Sequence, residues 1–288
     1  MPNSVAVILP TYNNLDSLKR CLSTLEAQTF SGFIVYICID GSTDGTFEYL
    51  NTATYRFHFE VLEHADKKNK GRQATRNLAL HICKESYILF LDSDLEVNKN
   101  WIDSHLVELI KSPISVGRVY FTNVENPWVD YYNSRGHNAK LSKQKIGSRY
   151  YISANTGFRK EVFAKVGLMD ESISEYGGDA EFAFRLIHFG FTSLTYLPNA
   201  ESFGVELKTV KQAISQYELF SRNLLQKLVN RYPKNQDYFN YSKLNKLHFL
   251  KLDNLNYLAE IIDNEKPGVL TRFGIRILLT LALLKEIR

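Results

Sequence analysis

Short apolar runs alternate with segments of helical period along the first two thirds of the chain. Val5-Ala6-Val7-Ile8-Leu9 opens the series, and strands are predicted at 4–9, 33–39, 59–63 and 87–91, near 115–121, and from Thr192 to Leu197. Between them Leu15, Leu18, Leu22 and Leu25 recur at spacings of three and four, as an amphipathic helix requires. Similar spacing marks Phe47 to Leu50 and Leu78 to Ile82. Uninterrupted apolar strands between helices are the pattern of a parallel sheet covered on both faces, so the prediction is an α/β, doubly wound, Rossmann-like fold. Ligands gather at the carboxyl ends of such strands. Thr11, Asp40 and Asp92 each fall just past one and are expected to line a shared crevice.

Farther along, Asn123 to Arg149 is polar and poor in periodicity, which predicts a long loop, and long loops in compact domains are often binding lids. It carries Trp128, Tyr131, Tyr132, Arg135 and His137, which can close over a ligand or pack on their own domain. Phe158 to Val166 and Ala180 to Phe189 are predicted helical. From about Lys208 the period is helical throughout, with Tyr217, Phe220, Leu224, Leu225 and Leu228 on one stripe. The shift in composition near residue 206 divides the chain into a sheet domain, 1–206, and a helical region, 207–288.

Composition adds a few constraints. A chain of 288 residues with 44% hydrophobic content can bury a sizeable core. Cys21, Cys38 and Cys83 lie within apolar patterns and show no paired or metal-type spacing, so they read as core residues of a reducing compartment. Met1 runs directly into a strand-like segment with no basic leader, and a cytoplasmic location is expected. The net charge of +4 is modest, and no nucleic-acid partner is expected. It is unevenly spread, however: residues 207–288 hold 14 basic and 7 acidic side chains. That skew suits an anionic surface such as a membrane, or simply a solvated helical face.

The candidate chemistry starts at Asp92-Ser93-Asp94, which follows the apolar run Tyr87-Ile88-Leu89-Phe90-Leu91. Two carboxylates at a strand end can offer hard oxygen ligands to Mg²⁺ or Mn²⁺. Such a triplet alone also fits a solvated turn. Around it stand Pro10-Thr11-Tyr12-Asn13, Asp40-Gly41-Ser42-Thr43-Asp44-Gly45-Thr46, and Lys70-Gly71-Arg72 with Arg76-Asn77. Downstream come Ala154-Asn155-Thr156-Gly157-Phe158-Arg159-Lys160, Val166-Gly167-Leu168-Met169-Asp170-Glu171 and Gly177-Gly178-Asp179-Ala180-Glu181. In order and spacing this set resembles the family 2 glycosyltransferases of GT-A fold, over roughly residues 4–206.

The residues suggest roles beside that resemblance. Tyr12 offers a face for a nucleobase, and Asp40 can accept from an imide N–H such as that of uracil. The resemblance implies a uridine nucleotide held by Thr11, Tyr12, Asn13 and Asp40. Lys70, Arg72 and Arg76 bring positive charge to the crevice, either for the nucleotide or to hold the acidic pair, and Gly71 permits close backbone approach. By family likeness Asp92 and Ser93 lie along the donor, and Asp94 ligates the metal on the diphosphate. Asp179 is the candidate base, although a carboxylate at a helix start also acts as a cap. Asn155 and Thr156 are sugar contacts or turn residues, and Glu181 binds the acceptor or orients its neighbours.

Two departures stand out. Many family members carry an acidic residue just before the base, where this chain has Gly178, and a metal-binding His after the following strand, where it has Phe203-Gly204 with Glu206 nearby. Glu206 is a substitute oxygen ligand or a surface charge. At the far end, Val269 to Ile287 is apolar and broken by Arg272, Arg276 and Lys285, which is too interrupted to span a bilayer. It can pack on its neighbours, lie in a membrane interface on the inner face of the cell membrane, or mediate homo-oligomerisation. The expectation is an inverting, metal-dependent transfer of a hexose or N-acetylhexosamine from a UDP-sugar to a saccharide, free or lipid-linked, in bacterial surface glycan synthesis. A catalytically silent sugar-nucleotide-binding subunit is the alternative, followed by a nucleotidyltransferase.

Overall fold

The computed structural model describes residues 4–135, 142–146, 151–173, 176–233 and 254–284. Four strands form the parallel half of its sheet: β1 (Val5–Thr11), β2 (Phe33–Ile39), β3 (His58–Glu63) and β4 (Tyr87–Leu91), of which β3 at the edge alternates polar and apolar residues. Their order is β3-β2-β1-β4, with Val7 opposite Val35 on one side and Leu89 on the other. Every residue of β1 is buried, which is why its sequence shows no polar alternation.

Beyond β4 the sheet is mixed. It continues through β8 (Asn155–Arg159), β6 (Ile114–Phe121), β9 (Ser193–Gly204) and β5 (Glu96–Val97), while β7 (Ser142–Lys145) also pairs with β9. β8 lies antiparallel between β4 and β6, and among the described residues only β6 with β9 is parallel in this half.

Two sequence expectations change here. Phe158 was expected in a helix, but it pairs with Ile88 and Ile114 in β8, and α6 (Glu161–Val166) begins after it. A short apolar run has no period that separates strand from helix, and cross-strand partners decided it. The expected loop at Asn123–Arg149 contains α5 (Pro127–Ser134) and β7. The Asn126 side chain accepts from the Trp128 and Val129 N–H groups and proline takes the first turn, an ordinary helix start. His137 and Arg149 lie outside the described residues.

The sheet separates two hydrophobic cores. One face is covered by α1 (Leu15–Glu26), α2 (Thr46–Thr52) and α4 (Trp101–Leu109). The other is covered by α3 (Arg72–Ile82), α6, α7 (Gly178–His188) and the helices that follow β9. These are α8 (Val210–Phe220), a π-helical turn (Ser221–Leu225), α9 (Gln226–Arg231), α10 (Leu255–Asp263) and α11 (Val269–Leu284). Thr209 and Gln212 form a capping box that starts α8. α11 buries Ile275, Leu278, Leu279 and Leu281 to Leu284, so its second half packs on the domain. Among the described residues no helix is long and apolar enough to cross a membrane.

Candidate active site

The first strand end is a framework with one open edge. Pro10 is buried within β1 and Thr11 is buried at its end, so neither is free to touch a ligand as expected. Thr11 Oγ1 donates to Asn14 Oδ1, and Asn14 Nδ2 donates to Ser93 Oγ at 2.9 Å. The loop after β1 is thereby tied to the acidic loop after β4, and Ser93 serves as a buried anchor. Tyr12 stands out from this loop, 50% exposed. Beside it, exposed Asn13 accepts from Thr43 N–H at 2.7 Å and donates its own N–H to Ser42 Oγ at 3.1 Å.

Asp40 is buried, and its two oxygens accept from the backbone N–H groups of Lys70 at 2.7 Å and Gly71 at 3.1 Å. His64 Nε2 lies 3.4 Å from the same carboxylate. Gly71, at φ 86 and ψ 158, adopts a conformation almost closed to L side chains, which lets both amides converge on Asp40 and α3 begin at Arg72. Asp40 is thus the pin of the α3 loop, with only its remaining lone pairs left for a nucleobase. Lys70 joins through its backbone, while its ammonium pairs with Asp66 at 3.2 Å.

The acidic loop presents its carboxylates unequally. Asp92 accepts from Arg76 Nη2 at 2.7 Å, with Arg72 Nη1 at 3.9 Å. Arg76 is 1% exposed and lies over the Phe90 ring, so its role is to hold Asp92. Arg72 opens into the cleft, where desolvation opposes its charge but Asp92, Asp179 and Asp94 raise its pKa. Asp94 is pushed up to about 6 by desolvation between the cleft walls and then by the charge of Asp92, with Glu206 adding to it. Glu206 is occupied locally, accepting from Lys208 N–H at 2.9 Å with Lys208 Nζ at 3.5 Å.

Asp179 lies in the first turn of α7, opposite these groups, and accepts from the Ser153 N–H at 3.3 Å. Asp92, Asp94, Asp179, Arg72, Trp128 and Glu206 all border one cavity of ≈ 320 Å³. Tyr12, Asn13 and Asp40 are not among its walls; they belong to the adjoining strand ends. Gly178 explains one departure from the family pattern. A Cβ there would fall 1.8 Å from Gln73 Nε2, so the carboxamide of α3 fills the place of a side chain.

Three expected sugar contacts lie elsewhere. Asn155 is wholly buried, accepting from Trp101 Nε1 at 2.8 Å, 2.9 Å from His105 Nε2, and donating to Ala200 O and Ser202 Oγ. Thr156 is equally buried and donates to Ile152 O. Both are core pins of β8. Glu181 points away from the cavity to Arg185, 2.6 Å away, which in turn donates to Val166 O and Leu168 O. Burial raises the Glu181 pKa against the opposing effect of Arg185. Glu181 therefore orients α7 against the α6 turn.

Sequence reading missed Gln73, Tyr151 and Gln216, which also border the cavity. No motif marks them. Tyr217 and Phe220 stood on the predicted α8 stripe as packing residues, and they wall the cavity as well. The helical region is thus part of the site.

Comparison with known proteins fits this geometry. The profile of glycosyl transferase family 2 matches residues 6–167. The chain is 27% identical over 136 residues to Glycosyltransferase GlyA of Streptococcus pneumoniae, covering 46% of this chain and 19% of that protein. It is 26% identical over 228 residues to chondroitin synthase of Pasteurella multocida, covering 65% and 23% respectively. The chain thus spans about a fifth of the length of these two relatives. Among solved structures, S. aureus TarS 1-349 in complex with UDP-GlcNAc superposes with a TM-score of 0.61 at 15% identity, over 98% of this chain and 90% of that one. The fold is GT-A, and the chain belongs to glycosyltransferase family 2.

Proposed function

We propose that this protein is an inverting glycosyltransferase that moves a hexose or N-acetylhexosamine from a UDP-sugar to a saccharide hydroxyl in surface glycan synthesis. The observation that carries this reading is Asp94 and Asp179 bordering one cavity, with Arg72 also in its wall. The family match, the chondroitin synthase relative and the UDP-GlcNAc held by the similarly folded TarS support it.

Tyr12 supplies the exposed face for uracil, next to Asp40. Arg72 neutralises the diphosphate as the bond from the anomeric carbon to the leaving oxygen breaks. An acceptor hydroxyl attacks that carbon from the opposite face, and its proton passes to Asp179, held in place by the Ser153 amide. One attack from the far side inverts the configuration.

Among the described residues no group of three or more His, Cys, Asp or Glu could hold a metal ion. The donor set still fits a cation held largely by substrate. Asp92 and Glu206 have close basic partners, whereas Asp94 bears the repulsion of both, offset only in part by Arg72, and a cation would relieve it. Mg²⁺ and Mn²⁺ are commonly bound through one or two carboxylates plus phosphate oxygens and water. Asp94 would hold the ion, with Asp92 and Glu206 beside it. When bound, the cation would stabilise charge on the departing diphosphate.

The acceptor is either free or lipid-linked. The second possibility rests on the start of α11, where Val269, Leu270 and Phe273 are 77%, 86% and 63% exposed beside exposed Arg276. A basic apolar helix of this kind lies in a membrane interface.

The test is UDP release from a panel of UDP-hexoses and UDP-N-acetylhexosamines, with Mn²⁺, Mg²⁺ or chelator. Metal-stimulated turnover of a donor is expected, and Asp179→Asn is expected to abolish transfer while UDP binding persists. Full activity in that variant would remove Asp179 as base. UDP binding without turnover of any donor would favour the silent-subunit reading.

A further inference from the structure

Asp179 stands between two walls of different chemistry. On one side its charge, with those of Asp92 and Asp94, supports the Arg72 cation against desolvation. On the other, burial raises the pKa of the Tyr132 and Tyr176 hydroxyls, and the charge of Asp179 adds to it. Charge effects weaken with distance, so Asp179 adjoins both walls. A base has to meet the attacking hydroxyl beside the bond that breaks. The charged wall suits the diphosphate, which leaves the aromatic wall for the acceptor.

One face of α8 completes that aromatic wall. Ala213, Gln216, Tyr217 and Phe220 follow helical spacing, and all four border the cavity. Tyr176 links this face to the base, its ring centroid 5.9 Å from that of Tyr217 and 6.1 Å from that of Phe220. Gln216 differs from these neighbours. It is partly exposed, and among the described residues its carboxamide has no hydrogen-bond partner, yet neither polar atom is sealed from solvent. A polar group that is both unpaired and accessible in a cavity wall is open to a ligand.

The chemistry of this face selects the ligand. A carboxamide places donors and an acceptor on adjacent atoms. Adjacent hydroxyls of a sugar ring match both, whereas a phosphate would leave the carbonyl oxygen opposed and a hydrocarbon would leave the whole group unpaired. The rings of Tyr176, Tyr217 and Phe220 suit the apolar face of the same sugar.

We propose that the cavity face of α8 is the acceptor subsite, where the Gln216 carboxamide grips adjacent hydroxyls of a terminal pyranose packed on the aromatic side chains beside it. Gln216 is then a specificity-determining residue, contributed by the helical region rather than the sheet domain. This rests on the transferase reading above.

The test is saturation-transfer NMR on the full chain, with and without UDP and Mg²⁺. The probes are methyl glycosides of glucose, galactose, N-acetylglucosamine, N-acetylgalactosamine and glucuronic acid, with glycerol phosphate as the phosphate probe. Gln216→Met and Gln216→Leu keep the bulk of the side chain and remove both polar atoms. At least one glycoside is expected to bind the unaltered protein, and each variant is expected to weaken it roughly three- to tenfold. Melting temperature, UDP affinity and donor hydrolysis should stay unchanged in both, which separates lost recognition from lost structure. The proposal is overturned if no glycoside binds, if glycerol phosphate alone binds, or if both variants bind the glycosides as before. An equal loss of UDP affinity would also overturn it, by placing Gln216 on the donor side. Glycoside binding is read independently of UDP, so failure of the donor reading would show separately, as absent UDP binding in the unaltered protein.

Discussion

At the residue scale, the clearest lesson is the difference between a polar side chain that serves the site and one that serves the core. Asp94 and Asn155 both follow from sequence motifs, yet Asp94 opens on the cleft and Asn155 unites β8, α4 and β9. Asn155→Ala would orphan Trp101 Nε1 and a nitrogen of His105 in a sealed interior, and a loss of about 3 kcal/mol or more is expected by urea unfolding. His105 itself is lowered to about 4 by burial, against the opposing effect of its bond to Asn155. The folded protein thus keeps this imidazole neutral, whereas the unfolded chain takes up a proton near pH 6.5. Stability from this group is therefore complete above that pH and declines as pH falls towards 4, by up to about 3 kcal/mol. Unfolding curves across this range should show the decline, and His105→Gln should flatten it. A residue type announces hydrogen-bonding capacity, but nothing in the local sequence says whether the partner is a ligand or another strand.

At the scale of elements, the parallel half of the sheet was legible because β1, β2 and β4 are buried on both faces and read as apolar runs. β8 was not, since Phe158 and its neighbours form a segment too short to show a period, and its pairing with β4 crosses some seventy residues of chain. The start of α3 shows a backbone rule fixing a site. Gly71 at φ 86 lets the α3 loop wrap Asp40. Gly71→Ala is expected to cost about 1–3 kcal/mol, from backbone strain, and to weaken UDP binding as the Asp40 contacts loosen. Thermal melts with and without UDP would check both effects; an unchanged melting temperature would show that the loop relaxes freely. α5 illustrates a signal passed over, because Asn126-Pro127 is a helix start within a stretch whose composition reads as loop.

Across the whole molecule, the boundary expected near residue 206 separates two compositions, but the cavity ignores it. α8 contributes Gln216, Tyr217 and Phe220 to the wall, and Arg272 of α11 forms a two-pronged ion pair with Asp130 of α5. Truncation after Glu206 is therefore expected to uncover the apolar face under α8 and abolish transfer; full activity of the soluble remainder would refute that role. The first half of α11 behaves differently, leaving Val269, Leu270 and Phe273 outward. Leu270→Asp with Phe273→Asp should reduce sedimentation with anionic vesicles while leaving UDP release intact. An unchanged bound fraction would exclude this face from membrane contact.

Taken alone, the sequence determined the α/β class, the apolar strands and the acidic residues after them, because burial on both faces and the spacing of polar groups at strand ends are local properties of the chain. Tertiary structure decided which carboxylates share a cavity, which polar side chains are consumed by the core, and which helices complete the wall. Those outcomes depend on contacts between segments far apart in the chain, and neither periodicity nor motif spacing records which segments meet.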